Sequence, residues 1–235
     1  MKHLTAILLS AIVLLATPAR AQRRGNSTVF HAFPVVGMTF SQIEGDELKG
    51  FKKAGLTAGV GAVAAFGGKE QTQLSLEADF AQRGARNTSG DPYSITGFTL
   101  NYVDIPLMFH YQDPYGGMNV GLGLCYSRLV QQPHGGHVYY SPTYFVPDSA
   151  NMVFLKNDLA VVIDMRFTIW RGLKLNMRYQ RSIIPIKNDM TFTEFHKANE
   201  PGETWSNKCY NSSVAVRLLY VFGDESYKLK KHKRR

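Results

Sequence analysis

A period of two constrains this chain more than any other feature. Leu74, Leu76, Ala78 and Phe80 alternate with Gln73, Ser75, Glu77 and Asp79. Leu159, Val161, Ile163, Met165, Phe167 and Ile169 stand against Asp158, Asp164, Arg166 and Thr168. Leu173, Leu175, Met177 and Tyr179 alternate with Lys174, Asn176, Arg178 and Gln180. Successive side chains of a strand point to opposite faces, so the pattern predicts strands with one apolar and one polar face. Weaker versions run through 33–41, 54–66, 97–111, 117–130 and 208–222, which brings the count to eight.

The connections alternate as well. Those at Phe66-Gly-Gly-Lys, Gln112-Asp-Pro-Tyr-Gly-Gly and Trp170-Arg-Gly are short and carry the glycine and proline of tight turns. Between them lie longer polar stretches near 42–53, 84–96, 131–153 and 186–206. One end of the predicted barrel therefore carries turns and the other carries loops.

The chain ends have their own character. Lys2 and His3, the apolar stretch Leu4 to Leu15, and Ala19-Arg20-Ala21 make up a secretory signal peptide (residues 1–21) with cleavage between Ala21 and Gln22. No later run approaches the ~20 apolar residues of a membrane helix. The formal charge of +9 is not a property of the body. Without Lys2, Arg20 and the six basic residues of the terminal KLKKHKRR, 19 basic face 18 acidic side chains. Residues 22–223 are read as one barrel domain and 224–235 as a basic, solvated periplasmic tail. Nucleic acid is not expected as a partner of an exported chain. Cys125 and Cys209 are expected at different heights and unbridged.

Alternation alone does not say which face points inward. A soluble lipocalin-like barrel also has eight antiparallel strands, with its apolar set inside. Four runs here end on an aromatic ring: Phe66, Tyr111 and Phe222 within the apolar set, and Trp170 one step out of phase beyond Ile169. Amphipathic rings are most stable at the headgroup level of a bilayer, so these four read as a girdle at the periplasmic edge. Several runs reach the ~9–11 residues of a tilted span, and Gly59, Gly61, Gly121 and Gly123 fall on the polar face, where a narrow interior needs small residues. The expectation is an all-β, eight-stranded antiparallel up-and-down transmembrane β-barrel in the cell outer membrane, with short periplasmic turns and long external loops.

An apolar exterior puts Glu77, Asp79, Asp104, Asp164, Arg166, Arg178 and Arg217 inside, with His110 toward the periplasmic end. Four acids and three arginines in a lumen that side chains can fill are expected to pair. A plugged, ion-paired core follows, rather than an open channel.

At NYVDIPLMFHY (101–111) and YGGMNVGLGLCYSRLV (115–130) the chain resembles the PorT-like outer-membrane β-barrel family, often labelled porin family. Tyr102, Ile105, Pro106 and Leu107 carry the first part of the likeness, Gly121 and Gly123 the second, and Glu77, Phe80 and Gly84 an earlier strand. The resemblance implies an outer-membrane barrel, and some members of that family serve in type IX protein secretion. Pro106 cannot donate to a strand ladder, which predicts a bulge or kink there.

The leading functional expectation is a non-enzymatic structural or accessory barrel without cofactor or metal. Its partners would be the outer-membrane bilayer and proteins of a secretion apparatus, engaged through loop aromatics such as Tyr139, Tyr140, Tyr144, Phe145 and Trp205. One alternative is a lipid-modifying enzyme using His134, His137, Ser141, Asp148 and His196 of the external loops. The other is a small-solute porin.

Overall fold

The computed structural model describes residues 29–46, 50–66, 71–87, 96–113, 117–132, 144–147, 153–197 and 200–223. The expected signal peptide with its Ala21/Gln22 cleavage point and the expected basic tail 224–235 lie outside these residues. The strands are β1 (Val29–Glu44), β2 (Lys53–Phe66), β3 (Thr72–Asn87), β4 (Thr96–Gln112), β5 (Met118–Gln131), β6 (Tyr144–Pro147), β7 (Asn157–Trp170), β8 (Leu173–Ser182), β9 (Lys187–Lys197) and β10 (Glu200–Tyr220). Eight of them form a closed antiparallel cylinder in the order β1-β2-β3-β4-β5-β7-β8-β10. β10 returns to β1 over the register Val35↔Leu219 to Glu44↔Tyr210, and the ring is complete.

The same order settles which face is which. Leu74, Leu76 and Phe80 are exposed on the outside while Ser75, Glu77 and Asp79 between them are buried. Val103, Ile105, Leu107, Phe109 and Tyr111 of β4 and Val120, Leu122, Leu124 and Tyr126 of β5 continue the exposed band. The polar set is inside, the reverse of a lipocalin-like barrel.

Two departures concern the strands. The stretches 131–153 and 186–206 were expected as loops, yet β6 lies in the first, and β9 and the start of β10 lie in the second. β10 runs for 21 residues, far more than a span requires, and its outer part pairs with β9 from Glu200↔Lys197 to Cys209↔Lys187. β6 then adds to β9. The second departure is at Pro106, where no register shift occurs. Leu76↔Leu107 and Asp79↔Asp104 keep one register to β3 across two unpaired positions, and Pro106↔Cys125 pairs regularly with β5. The missing N–H leaves a gap in one ladder without bending the count.

A bulge does occur in β7, between Thr168↔Lys174 and Trp170↔Leu173. It turns two consecutive residues outward, so Ile169 and Trp170 are both exposed. That local insertion accounts for the phase slip at Trp170.

Higher up, the inside changes chemistry. The inward positions of β4 read Met108, Pro106 and Asp104 and then Tyr102, Leu100 and Phe98, all buried. Tyr102, Leu100 and Phe98 join Ile43, Leu129, Phe154, Ile186, Met190, Phe192 and Cys209 in an apolar core at the outer end, under β9 and β10. The outward positions immediately above the apolar band are polar: Gln82, Asn101, Arg128, Asn157 and Arg181.

Candidate functional site

The barrel interior holds the densest chemistry. Glu77 is its hub: Arg166 Nη2 donates to Oε1 at 2.7 Å, Arg178 Nη2 to the same oxygen at 2.9 Å, and Arg217 Nη1 to Oε2 at 3.2 Å. Arg217 Nη1 also reaches Asp79 Oδ2 at 2.9 Å. Arg178 Nη2 reaches Asp164 Oδ2 at 2.9 Å, and Arg166 lies 3.6 Å from it. Three carboxylates and three guanidinium groups thus interlock across β3, β7, β8 and β10. Arg217 is further held by Asn176 Oδ1 at 2.8 Å, and Arg166 stacks on the Phe33 ring at 5.2 Å. A charge in this setting is stable only while its partners remain, because unpaired buried charge costs several kcal/mol.

Asp104 is not part of that cluster. It pairs with Arg83, whose other end reaches Ser127 Oγ. Nearby, Asp158 accepts from Ser182 Oγ at 2.8 Å and Asn211 Nδ2 at 3.0 Å, while the same Asn211 nitrogen donates to Tyr102 Oη at 3.0 Å. Arg83 was absent from the sequence-based set because it borders the long polar stretch. The signal was available, since Arg83 continues the two-residue period of Glu77, Asp79 and Ala81.

Ser75, His110 and Asp164 form a line that invites comparison with a hydrolytic triad. Ser75 Oγ lies 2.8 Å from His110 Nε2, and His110 Nδ1 lies 3.3 Å from Asp164 Oδ1. All three are at most 1% exposed, and Arg166 Nη2 sits 3.5 Å from Ser75 Oγ. A Cβ at Gly121 would collide with the His110 ring, and one at Gly59 with Asp79 Oδ1. A nucleophile needs room for a reacting atom beside it. Ser75, at 1% exposure, is closed to a substrate from outside, so the line is read as interior packing. Toward the turn end an amide set follows, with Gln73 Nε2 donating to Gln112 Oε1 at 2.7 Å and Asn119 Nδ2 to Gln73 Oε1 at 2.9 Å.

On the outside, Phe66, Tyr111, Trp170 and Phe222 are all exposed at the end with the short connections. Phe222 meets Tyr220 edge-on at 5.3 Å. A second set, not anticipated, sits where the band ends at the other side: Phe40, Phe80, Tyr126 and Tyr179. Tyr126 Oη donates to Asn157 Oδ1 at 2.9 Å, the polar-tip arrangement that suits an interface ring.

Of the loop residues considered for catalysis, His134, His137, Ser141 and Asp148 lie outside the described residues, as do Tyr139 and Tyr140; His196 falls in β9. Trp205 is half-buried and stacked on Phe192 at 5.9 Å, so it packs within the outer core. Both cysteines are free and buried. Cys125 lies at mid-barrel opposite Ala160, and Cys209 in the outer core.

No family model matches the chain, and no curated protein matches it. Solved structures do. The attachment invasion locus protein Ail of Yersinia pestis, in complex with the heparin analogue sucrose octasulfate, covers 82% of this chain and 99% of its own at 9% identity and TM-score 0.42. Neisserial surface protein A covers 83% and 98% at 9% identity and TM-score 0.41. The outer membrane protein OprG of Pseudomonas aeruginosa covers 84% and 98% at 13% identity and TM-score 0.37. Likeness at this level concerns chain path and assigns no activity.

Proposed function

We propose that this chain is an integral outer-membrane β-barrel with a sealed lumen and a structural or accessory role. One observation carries the reading: a band of exposed apolar side chains encircles all eight strands, over a charged interior. On β4 the band spans the nine residues Val103–Tyr111, five of them facing out, a length close to what a tilted strand needs to cross hydrocarbon. Aromatic side chains at both limits of the band fit the two headgroup levels. The Glu77 cluster favours a sealed barrel over a small-solute porin, since eight strands leave only the space that these side chains fill. Among the described residues Ser75 is closed to a substrate, which disfavours a hydrolytic site in the interior. The PorT-like motif in β4 and β5 is a barrel signature; because some members of that family serve in type IX secretion, an accessory role there, with export proteins as partners, is the narrower reading.

The test has two parts. The processed chain should require detergent or lipid to remain monodisperse, and planar bilayers containing it should show no steady nanosiemens openings. Monodispersity in plain buffer overturns the membrane assignment; steady conductance overturns the sealed lumen. For the secretion role, cross-linking in cells should recover other export components, and a barrel recovered alone removes that role.

A further inference from the structure

The outward face of β5, β7 and β8 breaks the polarity rule at one level. Rising along β5, the exposed positions read Leu122, Leu124, Tyr126, Arg128, Val130. Beside it, Leu159 is followed upward by Asn157 and Lys156 and then by exposed Leu155 and Val153. On β8 and just past its end the order is Tyr179, Arg181, then Ile183 and Ile184. A cationic row therefore lies between two apolar belts. Val153 is 67% exposed and Val130 55%, so the upper belt is not covered by the outer core.

Arg128 and Lys156 are neighbours by backbone pairing, through Arg128↔Asn157 and the Leu129 N to Lys156 O bond of 2.7 Å. Arg128 Nη1 donates to Asn157 Oδ1 at 2.5 Å, which anchors one nitrogen of an exposed guanidinium. Arg181 is already bound to Glu44 at 2.6 Å. No ion pair among the described residues engages Arg128 or Lys156. At the opposite edge, Arg171 lies 4.7 Å over the Trp170 ring.

We propose that the Arg128–Lys156 strip binds the phosphate of a phosphorylated glycolipid in the outer leaflet. Three parts of such a molecule meet three parts of the surface. Acyl chains lie along Leu122, Leu124 and Leu159, the phosphate meets the oriented guanidinium and the ammonium, and apolar sugar faces rest on Val130 and Leu155. Arg matches phosphate through paired N–H donors, and Lys adds a mobile point charge. The inference rests on the membrane reading above.

The test is native mass spectrometry of the refolded full mature chain in detergent, titrated with diphosphoryl lipid A, with its dephosphorylated form, or with inorganic phosphate. Wild type should carry the phosphorylated lipid in preference to the dephosphorylated one. The double variant R128Q/K156Q should bind it roughly ten- to thirty-fold more weakly, as two basic contacts at an anionic leaflet imply. R128K/K156R should recover part of the loss, and R171Q should bind like wild type. Heat-dependent gel mobility checks that each variant is folded. Equal binding by wild type and R128Q/K156Q, no preference for phosphorylated lipid, or capture of inorganic phosphate alone overturns the proposal. A chain that needs no detergent fails the membrane reading itself; one that needs it without discriminating phosphate fails only this inference.

Discussion

One cylinder of strands carries two opposite polarities. In the section between the two sets of exposed aromatics, Leu122, Ile163 and Leu218 face out and Glu77, Asp164 and Arg217 face in. In the outer section Leu100, Phe154 and Phe192 face in, and Asn101, Asn157 and Lys208 face out. The backbone does not change at the boundary, since β4 and β10 run through both. Only the surroundings do. Strand pairing is thus indifferent to which face is apolar, and the medium outside selects the side chains. The outer section is a small water-exposed core built on the walls of a membrane-type barrel.

Substitutions separate the two sections, and the largest effect is expected in the interior. Glu77→Gln removes the charge that holds three arginines and should cost about 3–5 kcal/mol, read as a lower urea midpoint for loss of heat-dependent gel mobility in lipid. An effect below about 1 kcal/mol would mean that the cluster does not hold the barrel. Phe192→Ala should cost about 3–5 kcal/mol, yet locally. Hydrogen exchange is expected to rise in β9 and the outer part of β10 while Val214–Tyr220 stays protected. Uniform loss of protection would show the two sections to be one cooperative unit.

Outward charge sharpens the contrast. Leu122→Arg, in mid-band, should destabilise by about 2–4 kcal/mol, whereas Thr99→Arg, outward in the outer section, should stay within about 0.5 kcal/mol. Equal effects would erase the boundary. The smallest signal concerns Cys209, in the outer section. Burial pushes its thiol up to about 12. Protonated and enclosed, it should resist maleimide at pH 8 in the native protein and react when Phe192→Ala opens that core. Fast native labelling would contradict the packing.

The eight barrel strands were legible because the membrane-type section has one constant medium outside, so a period of two reads directly as two faces. The outer section was not. Along β4 the inward face passes from Asp104 to Tyr102 to Leu100, so apolar and polar residues exchange phase and the pattern cancels over the whole strand. In 186–206 the inward anchors Ile186, Met190, Phe192 and Trp205 are too sparse to show a period, and β9 read as loop. The acids and arginines of the interior were visible as residues on one face, but their partners were not. Asp104 and Glu77 share a face and differ in height, and only the strand register separates Arg83 from Arg217. The Trp170 slip was visible, while its cause, an extra residue against β8, needed the pairing.

The seam between β1 and β10 has a consequence for biogenesis. Val35 stands opposite Leu219, so the first and last described strands, β1 and β10, are adjacent walls. No shorter fragment has its edges satisfied, and a half-made chain would expose two open strand margins with greasy outer faces. Among the described strands the sheet is complete only once β10 has paired with β1, so the joining of those two strands is what removes the last open margins.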